Sequence, residues 1–181
     1  MQVSNSDTNT NFSKSWNISI KARELFRKPL EKYFDYNFLD YLNEEHLGKN
    51  HDDAKLTLVD DYGEFSLELK VGGHYNYGRF LNKQVVSLEA IGNVENNDLG
   101  SSMRIAKSDL FAQAYYPHED ADELELIGVY WWKPFATWFE KHWKDFKQNM
   151  TTTDGFYHTD NRLVPIRYLD FFSCWSSCRG Y

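Results

Sequence analysis

The chain has 181 residues, 17% of them aromatic, and a formal net charge of -7. An aromatic content this high is foreign to disordered chains, so the sequence predicts one folded domain with a sizeable core. The acidic balance argues against non-specific coating of nucleic acid, which needs Lys and Arg to release counterions. No apolar run reaches the about 20 residues that span a bilayer.

In chain order, residues 1–16 read as a flexible polar tail without the apolar region of a secretory signal, ahead of a domain over 17–181. Residues 17–45 predict helix: Phe26, Leu30, Tyr33, Phe34 and Asn37 follow helical spacing with basic residues between them. Pro29 divides that helix in two, because it cannot donate to the preceding turn. Two strands, Ala54–Val59 and Glu64–Val71, come next, and the loop GGHYNYG leads to a third, Val85–Gly92. Past the polar stretch NVENNDLGSS, residues Lys107–Tyr116 predict a short helix capped by Ser108.

Glu123–Trp132 predicts a buried strand, and Pro134 suits the first position of the helix after it. In that helix Phe135, Trp138, Phe139, His142 and Phe146 make one stripe, a pattern commoner in core packing than in base stacking. MTTTDGFYHTDN reads as a loop and Leu163–Tyr168 as the last strand. Cys174 and Cys178 are too few for a disulfide framework and lack two further ligands for zinc, which fits free thiols in a reducing cytoplasm. The fold class is α/β: a mixed central sheet flanked by helices.

The segment HDDAKLTLVDDYGEFSLELKVGG (51–73) predicts a hairpin. Opposing Leu58 to Phe65, Leu56 to Leu67 and Ala54 to Leu69 matches every apolar position, with the turn at Asp61–Tyr62. Its polar face then sets Asp53 opposite Lys70 and Lys55 opposite Glu68. Two outcomes are open: a solvated face of ion pairs, or a site in which Asp53 and Glu68 converge on a cation with Lys70 beside them.

Asp53, followed fifteen positions on by Glu68-Leu69-Lys70, resembles the D…ExK signature of PD-(D/E)XK nucleases, with Asp52 in place of the usual Pro. VVSLEAIGN with GSSMRIAKSDLFAQAYY is similar to the third core strand and following helix of phage and restriction-type members, and RLVPIRYL to their closing strand. The resemblance covers roughly residues 20 to 170. It implies a restriction-endonuclease-like αβββαβ core and a cytoplasmic, metal-dependent nuclease acting on DNA.

On that resemblance Asp53, Glu68 and the carbonyl of Leu69 would hold Mg²⁺ or Mn²⁺, and Lys70 would orient the attacking water. Ser102 and Lys107 would touch the phosphate backbone, or else be a loop serine and a solvated lysine. Glu31 and Glu89 are further candidates for the metal site. Besides DNA, the expected partners leave open a homodimer or a protein partner. The alternative function is a nuclease-like fold without catalysis that binds a protein or a nucleic-acid end, with Tyr75, Tyr77 and Tyr157 as its exposed aromatics.

Overall fold

The computed structural model describes residues 22–41, 54–58, 63–104, 108–153 and 157–176. The tail over 1–16, the hairpin turn, Asp53, Lys107 and Cys178 lie outside the described residues.

Residues 22–25 are helical, and after a turn at Phe26 helix α1 runs Arg27–Tyr33. The break falls three residues before Pro29, as expected where a proline ring meets the preceding turn. Strands β1 (Tyr36–Tyr41), β2 (Ala54–Leu58) and β3 (Glu64–Gly72) form an antiparallel meander. Helix α2 (His74–Lys83) follows, then β4 (Val85–Asn93), β5 (Asp98–Leu99) and the short α3 (Ser101–Arg104). Strand β6 (Leu110–Tyr115) lies parallel to β3, and β7 (Glu125–Trp131) runs back beside it. Helix α4 (Trp132–His142), the hairpin β8 (Lys147–Thr153) and β9 (Tyr157–Pro165), α5 (Ile166–Asp170) and β10 (Ser173–Ser176) complete the order.

Among the described residues these strands make two sheets, a mixed six-stranded one ordered β1-β2-β3-β6-β7-β10 and an antiparallel four-stranded one ordered β5-β4-β9-β8. The large sheet carries an apolar cluster on each face. Phe26, at the turn before α1, and Leu30 of α1 pack with Leu67, Leu69, Leu110 and Ala112. On the other face Phe111 and Tyr130 meet Val86 and Leu88 of the second sheet and Trp132, Phe135 and Phe139 of α4. The Phe111 and Trp132 rings stack with centroids 4.2 Å apart. The architecture is mixed α/β, as the sequence predicts.

Several elements differ from expectation. Residues 36–41 are a strand, not helix: Leu39 is buried while its neighbour Asp40 is exposed, an alternation that pairing with β2 enforces. GGHYNYG enters a helix rather than a loop, because Tyr77 and Phe80, three apart, both reach the core. Val85–Asn93 is a strand, but it belongs to the second sheet, and β1 takes the place in the meander assigned to it. KSDLFAQAYY holds a strand, with all six residues from Leu110 to Tyr115 buried; a strand covered on both faces loses its alternation and reads as a continuous apolar run.

Where the sequence predicts a loop, Lys147–Thr153 and Tyr157–Pro165 are paired antiparallel strands, in keeping with the β-propensity of Thr. The last segment is strand only to Pro165, after which α5 begins. Pro134 is the third residue of α4 rather than the first, still inside the turn whose amides lack helical partners.

The hairpin register is also displaced by two residues: Ala54 opposes Leu67, Leu56 opposes Phe65 and Thr57 opposes Glu64. Hydrophobic matching cannot detect this slip, because an even shift leaves every side chain on its own face. Lys55 therefore faces Ser66 rather than Glu68, and its ammonium reaches Glu64 at 2.7 Å.

Candidate active site

Alternation along β3 turns Ser66, Glu68 and Lys70 to one side of the large sheet and Leu67 and Leu69 to the other. Pairing with β6 identifies the sides: Glu68 opposes Phe111 and Lys70 opposes Gln113, so both share the face covered by the second sheet and α4. Glu68 is only 9% exposed. The two charged residues of the ExK triplet thus share the covered face, Glu68 buried and Lys70 half-buried beside it.

Lys70 is held from below and from the side. Its ammonium donates to Ser101 Oγ at 3.1 Å, and Gln113 Nε2 donates to its carbonyl at 3.3 Å. Ser101 opens α3 and gives its own amide to Glu89 Oε1 at 2.7 Å, so a carboxylate from β4 anchors the hydroxyl that meets the lysine. The approach requires Gly100, whose amide bonds the Ala90 carbonyl at 2.9 Å. A Cβ there would lie 2.6 Å from the Glu89 carbonyl carbon, inside van der Waals contact with backbone that cannot retreat.

Next to Lys70 opens a cleft of about 430 Å³, lined by Arg79, Ser87, Gln113, Asn149 and Asn161 among others. Tyr115 in its wall has its phenol pushed well above the ordinary value by burial, with the Arg79 charge acting the other way.

Two residues upstream of Glu68, Ser66 fixes the strand. Its amide and hydroxyl donate to Asp109 Oδ2 at 3.0 and 2.9 Å, and Lys133 donates to Asp109 Oδ1 at 2.8 Å. Burial raises the Asp109 carboxyl, but Lys133 and the Ser66 donors outweigh it and leave the group below its ordinary value.

No family model, curated protein or solved structure matches this chain.

The other sequence-predicted residues fall as follows. Asp53 lies outside the described residues; it precedes Ala54, whose partner Leu67 precedes Glu68. Leu69 sits in β3 opposite Ala112, its side chain in the core beneath α1. Ser102 is buried, 2% exposed, while its neighbour Ser101 is the serine in contact with Lys70. Glu31 is exposed on α1, which packs on the opposite face, and accepts a bond from the Tyr36 hydroxyl at 3.2 Å. That bond, after burial and the Glu31 charge, helps push the Tyr36 phenol up to about 12. Cys174 is half-buried in β10.

Among the described residues no group of three His, Cys, Asp or Glu stands close enough to hold a metal ion. The described donors are the Glu68 carboxylate and the Leu69 carbonyl, hard oxygens of the kind Mg²⁺ and Mn²⁺ prefer, so the donor chemistry fits such an ion. Ser101 and Gln113 are additions to the site. Gln113 left a trace in the sequence, one amide within the apolar run LFAQAY; Ser101 left none apart from its glycine.

Proposed function

We propose that the chain is a divalent-metal-dependent nuclease, hydrolysing DNA phosphodiesters with the Glu68-Leu69-Lys70 strand at its centre. The observation that carries this reading is the burial of Glu68 and the anchoring of Lys70 on Ser101 beside a polar cleft. Removing a charge from water is costly, and sites that bind metal ions or carry out phosphoryl chemistry accept that cost; a buried carboxylate and an ammonium on one face of a strand support such a reading. The order α1, a β1-β2-β3 meander, α2 and a later strand parallel to β3 supports a restriction-endonuclease-like core. It does so with β1, α2 and β6 in the places that the resemblance gave to other segments.

The reaction consumes one water. Its oxygen bonds to phosphorus, a P–O ester bond breaks, and the proton released passes to the departing alkoxide. Lys70, fixed by Ser101 and Glu89, holds and orients the water and offsets negative charge gathering on the phosphoryl oxygens. Glu68, with Asp53 and the Leu69 carbonyl, supplies oxygen ligands. A hard divalent cation bound there contributes charge neutralisation and a more acidic water.

The test is incubation of the full chain with single-stranded and duplex DNA in Mg²⁺ or Mn²⁺. Glu68→Gln and Lys70→Met should each lower the rate by at least about 100-fold, the scale of losing an electrostatic group from a reacting centre. Cleavage by both variants at the wild-type rate refutes the proposal. A binding module without catalysis is favoured by one feature, the 74% exposed Tyr75 ring at the cleft. It predicts no metal-dependent cleavage of either substrate.

A further inference from the structure

The cleft beside Lys70 does not end there. Val85 lines it and also lines a second cavity of about 640 Å³, so the two adjoin across the start of β4. Strand β8 runs along both: Lys147 borders the larger cavity, and Asn149 and Thr151 border the cleft. Residues two apart on a strand share a face, so these three form one wall about 14 Å long. The facing wall is α2, where Arg79 lines the cleft and Lys83, four residues on, lines the cavity.

The lining is unlike the chain as a whole. Against a net charge of -7, five cations border the path: Lys70, Arg79, Lys83, Lys147 and Arg167. Among the described lining residues one carboxylate is present, Asp145, and it accepts from His142 Nδ1 at 3.2 Å. The larger cavity adds an aromatic wall. His142 and Tyr168 stack on Trp138 with centroids 4.9 and 5.5 Å away, and Phe146 meets Tyr168 edge-on at 5.3 Å.

We infer that this continuous groove, from the aromatic cavity past Val85 to Lys70, is a binding track for single-stranded nucleic acid. It combines a line of cations that follows a phosphate backbone with apolar rings and side-chain amides that meet exposed bases. A duplex keeps its bases stacked inside and could offer only phosphates to the rim, leaving the aromatic wall and the Asn149 amide unused. This deepens the nuclease reading by naming an unpaired strand as the substrate, and rests on it only for the role of Lys70.

The test is fluorescence anisotropy of the full chain with labelled oligothymidylate and with a duplex of equal length, in EDTA so that metal-dependent cleavage is blocked. The wild type should bind the single strand more tightly than the duplex. Lys147→Ala/Arg167→Ala, which removes two exposed cations, should weaken single-strand binding about tenfold. It should also flatten the salt dependence by about 1.4, because each neutralised phosphate on a single strand adds about 0.7 to the slope. Lys28→Ala, on α1 across the large sheet, should bind as the wild type does. Equal binding by the double variant, a preference for duplex, or no binding by the wild type overturns the inference. The two ideas fail separately: cleavage with an unaffected double variant removes the track alone, and single-strand binding without any cleavage removes the nuclease alone.

Discussion

Asp109 is the joint between the strand that carries Glu68 and the rest of the large sheet, and Asp109→Ala measures its strength. The substitution removes two bonds from Ser66 and one from Lys133, and leaves the half-buried Ser66 amide without its acceptor. A hydrogen bond to a charged group is worth about 1.5–3 kcal/mol, but the Lys133 pair is solvated, its partners 56% and 35% exposed, and adds well under about 1 kcal/mol. With the Ser66 bonds discounted for partial exposure, the expected loss is about 2–4 kcal/mol, or roughly 6–12 °C in Tm for a chain of this size.

The same contacts give the effect a pH signature. The Asp109 carboxyl lies below its ordinary value of 3.8 in the fold, so its contribution is complete above that value and disappears as pH falls through the depressed one. Urea unfolding of wild type and variant at neutral pH and near pH 3 tests both parts: the gap in stability should be widest at neutral pH and narrow on acidification. Lys133→Ala should cost less than about 1 kcal/mol at either pH. A gap below about 0.5 kcal/mol at neutral pH, or one that does not change with pH, refutes the reasoning.

Gly100→Ala forces a Cβ against the backbone of Glu89, and should cost about 2–4 kcal/mol and lower cleavage beyond the loss of folded protein, measured at a temperature where the variant remains folded. Gly78 lies in the interior of α2. A Cβ there meets nothing within 4 Å, so Gly78→Ala should stabilise by about 0.5–1 kcal/mol in denaturant unfolding, whereas Gly78→Pro should cost about 3 kcal/mol or more. In the second sheet Arg162 and Asp160 pair at 2.6 Å with side chains only 11% and 7% exposed. Asp160→Ala leaves that guanidinium buried without its anion and should cost about 3–5 kcal/mol by the same assay; a cost under about 1 kcal/mol would mean that water reaches the pair.

What could be read from the sequence divides along a physical line. Leu67 and Leu69 alternate with Ser66, Glu68 and Lys70, so the face that each residue of β3 occupies follows from its position alone. What covers that face does not follow, because Phe111, Val86 and Trp132 arrive from remote parts of the chain. The same limit explains β6: LFAQAY carries no alternation once both its faces are covered, and short apolar runs fit strand and helix alike. In α2 the glycines outweighed Tyr77 and Phe80 in any local reading, though the two aromatics are what hold the helix to the core. Asp53, Glu68 and Lys70 were visible as a spacing, whereas Ser101 and Gln113 reach Lys70 only through the second sheet and through the parallel pairing.

The second sheet changes the meaning of the triplet on β3. A three-stranded meander with helix α1 on one face would leave Glu68 and Lys70 in water, where opposite charges are cheap and carry no information. Strands β4 and β9 close that face. Glu89 and Ser101 come with them, and Ser101 provides the oxygen that Lys70 meets. Closure also creates the cleft, since Ser87, Asn149 and Asn161 stand on the small sheet while Lys70 and Gln113 stand on the large one. The enclosure that buries Glu68 is therefore the same feature that shapes the cleft beside Lys70. Opening it with Gly100→Ala should disturb Lys70 anchoring and cleft shape together, whereas Ser101→Ala should disturb only the anchoring. In the nuclease assay Ser101→Ala should lower kcat and leave KM near wild type, and Ser101→Thr, which restores the hydroxyl, should recover most of the loss. An unchanged kcat in Ser101→Ala would show that Lys70 needs no such anchor.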